Sequence, residues 1–440
     1  MRRLEILVLS VGMAAAVLWG VPSVARAEPE GLKHCAVSTG RTMETAKPEE
    51  VGLDSAALAE AIRIANDPLR RTFHVFRNNC LIATGARNAE NGGVAWNLWS
   101  STKSVVALVA GIAADERRLN IDDPIGAYLP PGLGDEAHRA IKVRHLLDES
   151  SGMRVAVASE GITGLAQFDP NVVVQALGLP MDHEPGTTWQ YSQRAVDLLV
   201  YVVQQAVGED FQSYAQRKLF TPLGIPASDY YWARDRSGNT YGYAHLVLPP
   251  ADFVKLGLLI GNQGAYGGTQ VVSAEYLRRA SEPSPAKPCF GFLLVVNGPG
   301  CSGSFPGLPS DAVQMSGMMR QDNFIVPSLG LMVSWTGVTV PGDSVSFPHD
   351  VLRAVIAAFR APALPDPGPY TPLPDVSLAD PMVSNPDALF GVLGLGPAAY
   401  PGCNVAACLG KPLAAPYGDW PPGCFILGCV GTQPATPGIR

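Results

Sequence analysis

The sequence predicts an α/β (α+β) chain, with strands near its start and again near its end and a mostly helical stretch between them. Three observations carry this. Two runs rich in β-branched and aromatic residues, 72–76 and 80–84, flank Arg77-Asn78-Asn79 as hairpin arms flank a turn. From 120 to about 243 the chain reads as helices and loops, at Val143-Arg144-His145-Leu146-Leu147, at 172–177, and at the amphipathic stretch 195–207 that stops at Gly208. Strand-like runs then return at 290–296, 323–326 and 331–335, with Pro327-Ser328-Leu329-Gly330 turning the last pair.

The elements follow in chain order. Arg2-Arg3, an apolar segment over 6–21 and Val24-Ala25-Arg26-Ala27 read as an export signal over 1–27, with a mature chain beginning near Glu28. A membrane anchor is the alternative, but the apolar segment falls short of the roughly 20 residues a span needs, and Pro22 follows it. Leu58, Ile62 and Ile64 among alanines predict a helix over 54–67, capped by Asp54 or Ser55. After the hairpin, a loop rich in Asn and Gly at 88–93 leads to Trp96 and a helix with almost no polar face over 105–112. Further helices are expected at 250–259, 274–280 and 349–359. The last 80 residues carry 16 of the 39 prolines and four of the eight cysteines, which predicts an irregular, disulfide-stapled tail over 362–440.

Composition excludes several classes of protein. At 440 residues and 47% hydrophobic, the chain can bury sizeable cores. A net charge of −7 with 16% charged residues offers no basic face for nucleic acid, and no second apolar run long enough to span a membrane follows the signal. Eight cysteines, all beyond the signal, fit an oxidising compartment. In the tail, Cys403, Cys408, Cys424 and Cys429 could be read as a zinc site, but in an exported chain disulfides are the expectation. Their connectivity stays open. His145 with Asp148 and Glu149 has no second ligand cluster, so His145 is read as structural, and neither metal nor cofactor is expected.

Candidate chemistry centres on Trp99-Ser100-Ser101-Thr102-Lys103-Ser104. A hydroxyl and a lysine three residues apart at the head of a helix share one face. Burial that disfavours an ammonium leaves an amine able to take the serine proton, and the apolar run after Lys103 would supply that burial. The plainer reading is that Ser100 or Ser101 caps the helix. A second stretch places Tyr191 and Gln193 just before the amphipathic helix, where the phenol oxygen could relay a proton. The alternative is a core tyrosine with a satisfied hydroxyl. A third, Met315-Ser316-Gly317, reads as an edge-strand step that lets a ligand approach the backbone, with the next N–H, that of Met318, aimed at a developing oxyanion. A simple bulge would look the same.

Together, Ser100-x-x-Lys103, Tyr191-x-Gln193 and Met315-Ser316-Gly317 resemble, in order and spacing, the Ser-x-x-Lys, Tyr-x-Asn and Lys-Thr-Gly motifs of serine β-lactamases and penicillin-binding proteins. The segments Ile141-Lys142-Val143-Arg144-His145-Leu146-Leu147, Ser151-Gly152-Met153 and Pro222-Leu223-Gly224-Ile225 are similar to the class C β-lactamase-related group, over roughly residues 45–360. Gly317 with Gln321, Phe324 and Pro327 resembles its esterase and 6-aminohexanoate-dimer hydrolase branch.

The resemblance implies an antiparallel sheet flanked by helices, built from 28–122 and 250–361, with a mostly helical part, 123–249, inserted between them. It also implies Ser100 as nucleophile, Lys103 as base and Tyr191 as proton relay, with Gln193, Ser316, Gly317 and Met318 facing the substrate. Met315 stands where the family carries a lysine that binds substrate carboxylates. An ester or small amide is therefore the expected substrate, ahead of a β-lactamase or D-alanyl-D-alanine carboxypeptidase role or a non-catalytic binding role. Arg320 is the candidate to restore the missing cation, and Trp99, Trp189, Met315, Met318 and Met319 are expected to line the pocket.

Overall fold

In a computed structural model of the chain, the structure describes residues 31–301, 303–372 and 380–430. The expected export segment, 1–27, lies outside them.

Helix α1 (Ser55–Ala65) starts where the Asp54 carboxylate accepts the Ala57 N–H at 2.8 Å. Strands β1 (Arg70–Arg77) and β2 (Cys80–Thr84) turn through Asn78 and Asn79, at φ 48° and 64°, a left-handed conformation that asparagine tolerates. After α2 (Asn88–Asn91) and the short β3 (Trp96–Asn97) comes α3 (Ser101–Asp115), buried from Ser101 to Ala113. The helical middle follows as α4 (Glu136–Ala140), α5 (Val143–Leu147), α6 (Val157–Leu165), α7 (Val172–Gly178), α8 (Gln193–Val207) and α9 (Phe211–Ala215). Ser192 Oγ caps α8 by accepting the Ala195 N–H at 3.0 Å, and Gly208, at φ 74°, ends it.

Strands β4 (Tyr231–Trp232) and β5 (Leu246–Leu248) lead into α10 (Pro250–Gly261), a small hairpin of β6 (Ala265–Tyr266) and β7 (Thr269–Gln270), and α11 (Ala274–Ala280). The strand expected over 290–296 shrinks to β8 (Val295–Val296). The preceding residues turn back on themselves, with Leu293 at φ 52°, the Gly291 N–H donating to the Leu294 carbonyl at 2.9 Å and Phe290 pairing with Val295. Strands β9 (Val313–Gly317), β10 (Gln321–Val326) and β11 (Leu331–Gly337) then run to α12 (Phe347–Ala358). The tail holds α13 (Pro381–Ser384), α14 (Asp387–Val392) and two minimal hairpins, β12 (Ala407–Cys408) with β13 (Lys411–Pro412) and β14 (Cys424–Phe425) with β15 (Gly428–Cys429).

The main sheet has the order β2-β1-β11-β10-β9-β8 and is antiparallel throughout. Its central pair joins the two ends of the domain, and the Thr72 and Thr336 hydroxyls meet at 2.7 Å across it. One face packs on α1 and α12 through Leu58, Phe73, Val75, Trp335, Val351 and Val355. The other packs on α3 and α10 and continues into the helical part through Val105, Leu198 and Phe253. A second sheet, β14-β15-β3-β5-β4, lies at the entrance to α3.

Cysteines pair with their sequence neighbours: Cys35–Cys80, Cys289–Cys301, Cys403–Cys408 and Cys424–Cys429. Among the described residues, no helix is long and apolar enough to cross a membrane. In the helical part, Arg194 is fully buried between Asp169 at 2.6 Å and Asp197 at 2.8 Å, an ion cluster that ties α8 to the loop before α7.

Candidate active site

Ser100 stands at the head of α3, where the helix dipole favours negative charge, while the N–H groups of Ser101, Thr102 and Lys103 donate to the Leu98, Trp99 and Ser100 carbonyls. The residue before it, Trp99, adopts φ 48°, which is strained for a tryptophan and is held by its N–H donating to Asn97 Oδ1 at 2.9 Å. The other hydroxyls of this turn are committed to the scaffold. Ser101 Oγ donates to the Gln321 carbonyl and Ser104 Oγ to the Leu293 carbonyl, each at 2.7 Å, while Thr102 Oγ1 accepts from the Leu246 N–H at 3.3 Å. Ser100 Oγ instead accepts a hydrogen bond from Tyr191 Oη at 2.6 Å.

Lys103 is buried one turn further on. Its Nζ donates to Gln193 Oε1 and, at 3.3 Å, to the Tyr243 carbonyl, and lies 4.4 Å from the centre of the Tyr191 ring. No carboxylate lies within ion-pair distance of it among the described residues. The structure thus gathers Ser100, Lys103, Tyr191 and Gln193 around one point, with Gln193 holding the lysine rather than facing an open cleft.

The third motif divides by strand parity. Met315 points into the core, wholly buried, with its sulfur accepting from Asn323 Nδ2 at 3.5 Å. Ser316 faces the opposite side of the sheet, where its hydroxyl bonds the Asp322 carboxylate alongside Gln314 Nε2 at 3.0 Å and Trp335 Nε1 at 2.8 Å. Burial raises that carboxyl in spite of its three donors. The expectation that Met315 lines the pocket is therefore corrected, and so is that for Trp99, which is buried with its ring edge-on to His245. Gly317 remains at the site: a Cβ there would lie 2.2 Å from the Leu98 carbonyl, so only glycine lets β9 come this close to the residues before Ser100. Strand β8 pairs with β9 only at Val313 and Gln314, which leaves the Met315–Gly317 edge uncovered on that side. Met318 follows in the hairpin turn, half exposed. Arg320 sits in the same turn at φ 70° and donates to the Ser344 carbonyl at 3.1 Å.

Several residues of the site carry no motif. Gln321 is fully buried and spans the hairpin, donating to the Met319 and Gly337 carbonyls at 2.8 Å each and accepting from the Gly337 N–H at 3.2 Å. Two carboxyls lie behind the Tyr191 segment. Glu149, at φ 55°, is buried with neither oxygen in a well-formed hydrogen bond, the Ser192 N–H being the donor that approaches it. Burial pushes it up to about 8, against the pull of Lys103. Glu160 is raised to about 7 by burial although Arg194 and the Gln193 N–H oppose this. His245 is pushed down to about 3 by burial and by Lys103. In the sequence Glu149 stood out only as part of an acidic pair, Asp148-Glu149, near His145, and Gln321 only through the resemblance to the esterase branch.

An antiparallel sheet and a helical part, with a buried helix whose head carries Ser100 between them, make the β-lactamase/transpeptidase-type fold. The Beta-lactamase family model matches residues 83–346, and the chain belongs to this family. Among solved structures, EstCE1, described as a hydrolase with promiscuous acyltransferase activity, is 18% identical with a TM-score of 0.55, over 68% of this chain and 98% of that one. A penicillin-binding protein homologue from Caulobacter crescentus is 14% identical with the same TM-score, over 72% and 99%. The lovastatin esterase of Penicillium rubens is 26% identical over 156 residues, 30% of this chain and 39% of that protein. The chain spans about a third of the length of the curated relatives it matches. Family and neighbours agree on the fold.

Proposed function

We propose that this chain is an exported serine hydrolase that cleaves an ester or small amide through an acyl-enzyme on Ser100. The observation that carries this reading is the 2.6 Å contact between Tyr191 Oη and Ser100 Oγ, in a helical turn whose other three hydroxyls are engaged elsewhere. Ser100 Oγ attacks the carbonyl carbon. Its proton passes to the Tyr191 oxygen as the tyrosine proton moves to the Lys103 amine, and the leaving alkoxide or amine then takes a proton back along the same path. Water attacks the acyl-enzyme by the reverse relay and restores Ser100. The Met318 N–H, at the open end of β9, stabilises the oxyanion.

A buried Met315 in place of a cation favours neutral substrates over penicillins and carboxylate-ended peptides. Export rests on the segment 1–27 and is supported by four disulfides, which persist in oxidising compartments. The test is mass spectrometry after a fluorophosphonate, run beside a panel of p-nitrophenyl butyrate, nitrocefin and short linear amides. The adduct is expected on Ser100 and turnover on the butyrate. Label on Ser101 or Ser104, or faster nitrocefin hydrolysis, would overturn the reading.

A further inference from the structure

The family match ends at residue 346, yet a segment some 80 residues later is built into the approach to Ser100. The knuckle closed by Cys424–Cys429 docks its strand β15 on β3, with Gly428 opposite Trp96. Three hydrogen bonds fasten it to the β3 segment and a fourth closes it on itself. The Cys429 N–H donates to the Ala95 carbonyl at 2.9 Å, the Asn97 N–H to the Leu427 carbonyl at 2.9 Å, and Asn97 Nδ2 to the Ile426 carbonyl at 2.7 Å; the Val430 N–H closes the knuckle on the Gly423 carbonyl at 2.9 Å.

Asn97 is the hinge of this arrangement. It is fully buried, and its amide has two ends with different tasks. Nδ2 reaches the knuckle at Ile426 and lies 3.2 Å from His245 Nδ1, while Oδ1 accepts the Trp99 N–H. That last bond holds Trp99 at its left-handed φ, and the next residue is Ser100. A strained backbone beside a nucleophile persists only where its surroundings over-determine it. Here part of the surroundings comes from the tail. Trp420 adds to the anchorage by packing its ring 5.0 Å from that of Tyr231 in β4, the far strand of the same small sheet.

We infer that the C-terminal knuckle is a positioning element of the active site, orienting Ser100 through Asn97 and the Trp99 backbone. The inference rests on Ser100 being the nucleophile. Asn97 and the knuckle touch no substrate; they set where the Ser100 hydroxyl stands relative to Tyr191. Untying the knuckle should therefore slow acylation while leaving substrate affinity nearly as it was.

The test uses the full chain in three forms: native, Cys424→Ser/Cys429→Ser, and Asn97→Asp. The aspartate keeps the acceptor for the Trp99 N–H and loses the donor to the Ile426 carbonyl. Fluorophosphonate labelling of Ser100 and kcat should each fall about tenfold or more in both variants, the order expected of a misplaced reacting group, with KM within twofold and thermal unfolding still cooperative. Labelling at the native rate in either folded variant would overturn the inference. If neither variant folds, amide exchange in the native protein decides: the Trp99 and Asn97 amides should open together with those of Leu427–Cys429, and a knuckle that exchanges far faster than Trp99 overturns the coupling. Absence of label on Ser100 in the native protein would instead remove the acyl-enzyme reading, and the exchange comparison would still judge the knuckle.

Discussion

Tyr191 Oη donates a hydrogen bond to Ser100 Oγ, and Lys103 Nζ lies against the face of the same tyrosine ring. In the proposed relay the tyrosine stands between the serine and the lysine. Tyr191→Phe and Lys103→Ala should each lower kcat by roughly 10²-fold or more, the lower end of what a positioned acid-base group contributes. Steady-state kinetics on p-nitrophenyl butyrate measures this. A Tyr191→Phe enzyme with native kcat would remove the tyrosine from the mechanism.

Met315 is expected to resist the obvious specificity change. Met315→Lys places an ammonium in the core beside the Asn323 amide, without a counter-ion, at a cost of roughly 3 kcal/mol or more. Chemical denaturation should show that loss, and turnover of carboxylate-bearing substrates should not rise relative to neutral esters. A stable variant with raised nitrocefin turnover would show that the strand can turn this side chain toward the cleft.

Glu149 makes stability depend on pH. Between its ordinary value near 4.5 and about 8, the folded protein keeps a proton that the unfolded chain has released, so this group lowers stability as pH rises through that window. Glu149→Gln removes the titration. Its thermal midpoint, relative to the native protein, should therefore climb between pH 5 and pH 8, and a difference that stays flat over that range would mean the carboxyl ionises normally.

The disulfides should differ in worth according to the chain they close. Cys35–Cys80 spans 45 residues and Cys289–Cys301 spans 12, so loop-closure entropy assigns about 4 and about 3 kcal/mol respectively. Paired serine replacements, compared by denaturant midpoint, should rank in that order. The reverse ranking would indicate that local packing around the 289–301 loop outweighs loop length.

Much of the scaffold was legible because it is periodic or capped. Asp54 starts its helix, Gly208 stops one, and the 274–280 helix lies where its pattern put it. That Ser100, Lys103 and Tyr191 lie together was legible because helical spacing and motif order converge on them. Met315 was misjudged although its signal was present: in Val313-Gln314-Met315-Ser316 the apolar residues alternate, and that parity turns the methionine inward. Strand 290–296 was overdrawn because its apolar composition hid a turn at 291–294 that folds the run back on itself. Asn97 and Gln321 act through side-chain hydrogen bonds to backbone groups and Glu149 through burial, none of which leaves a repeat in a sequence. The docking of the tail on β3 depends on backbone groups, which every residue possesses.

The pairing of β1 with β11 has a consequence for how the molecule is made. Thr72 and Thr336 touch across 264 residues of chain, so the central sheet cannot close until nearly the whole domain has emerged. Helices such as α3 and α8 depend on local contacts and can form early, whereas contacts so distant in sequence form slowly. Ser100 is then among the last residues to reach its working geometry. Recovery of fluorophosphonate labelling at Ser100 after refolding should therefore lag behind recovery of helix signal.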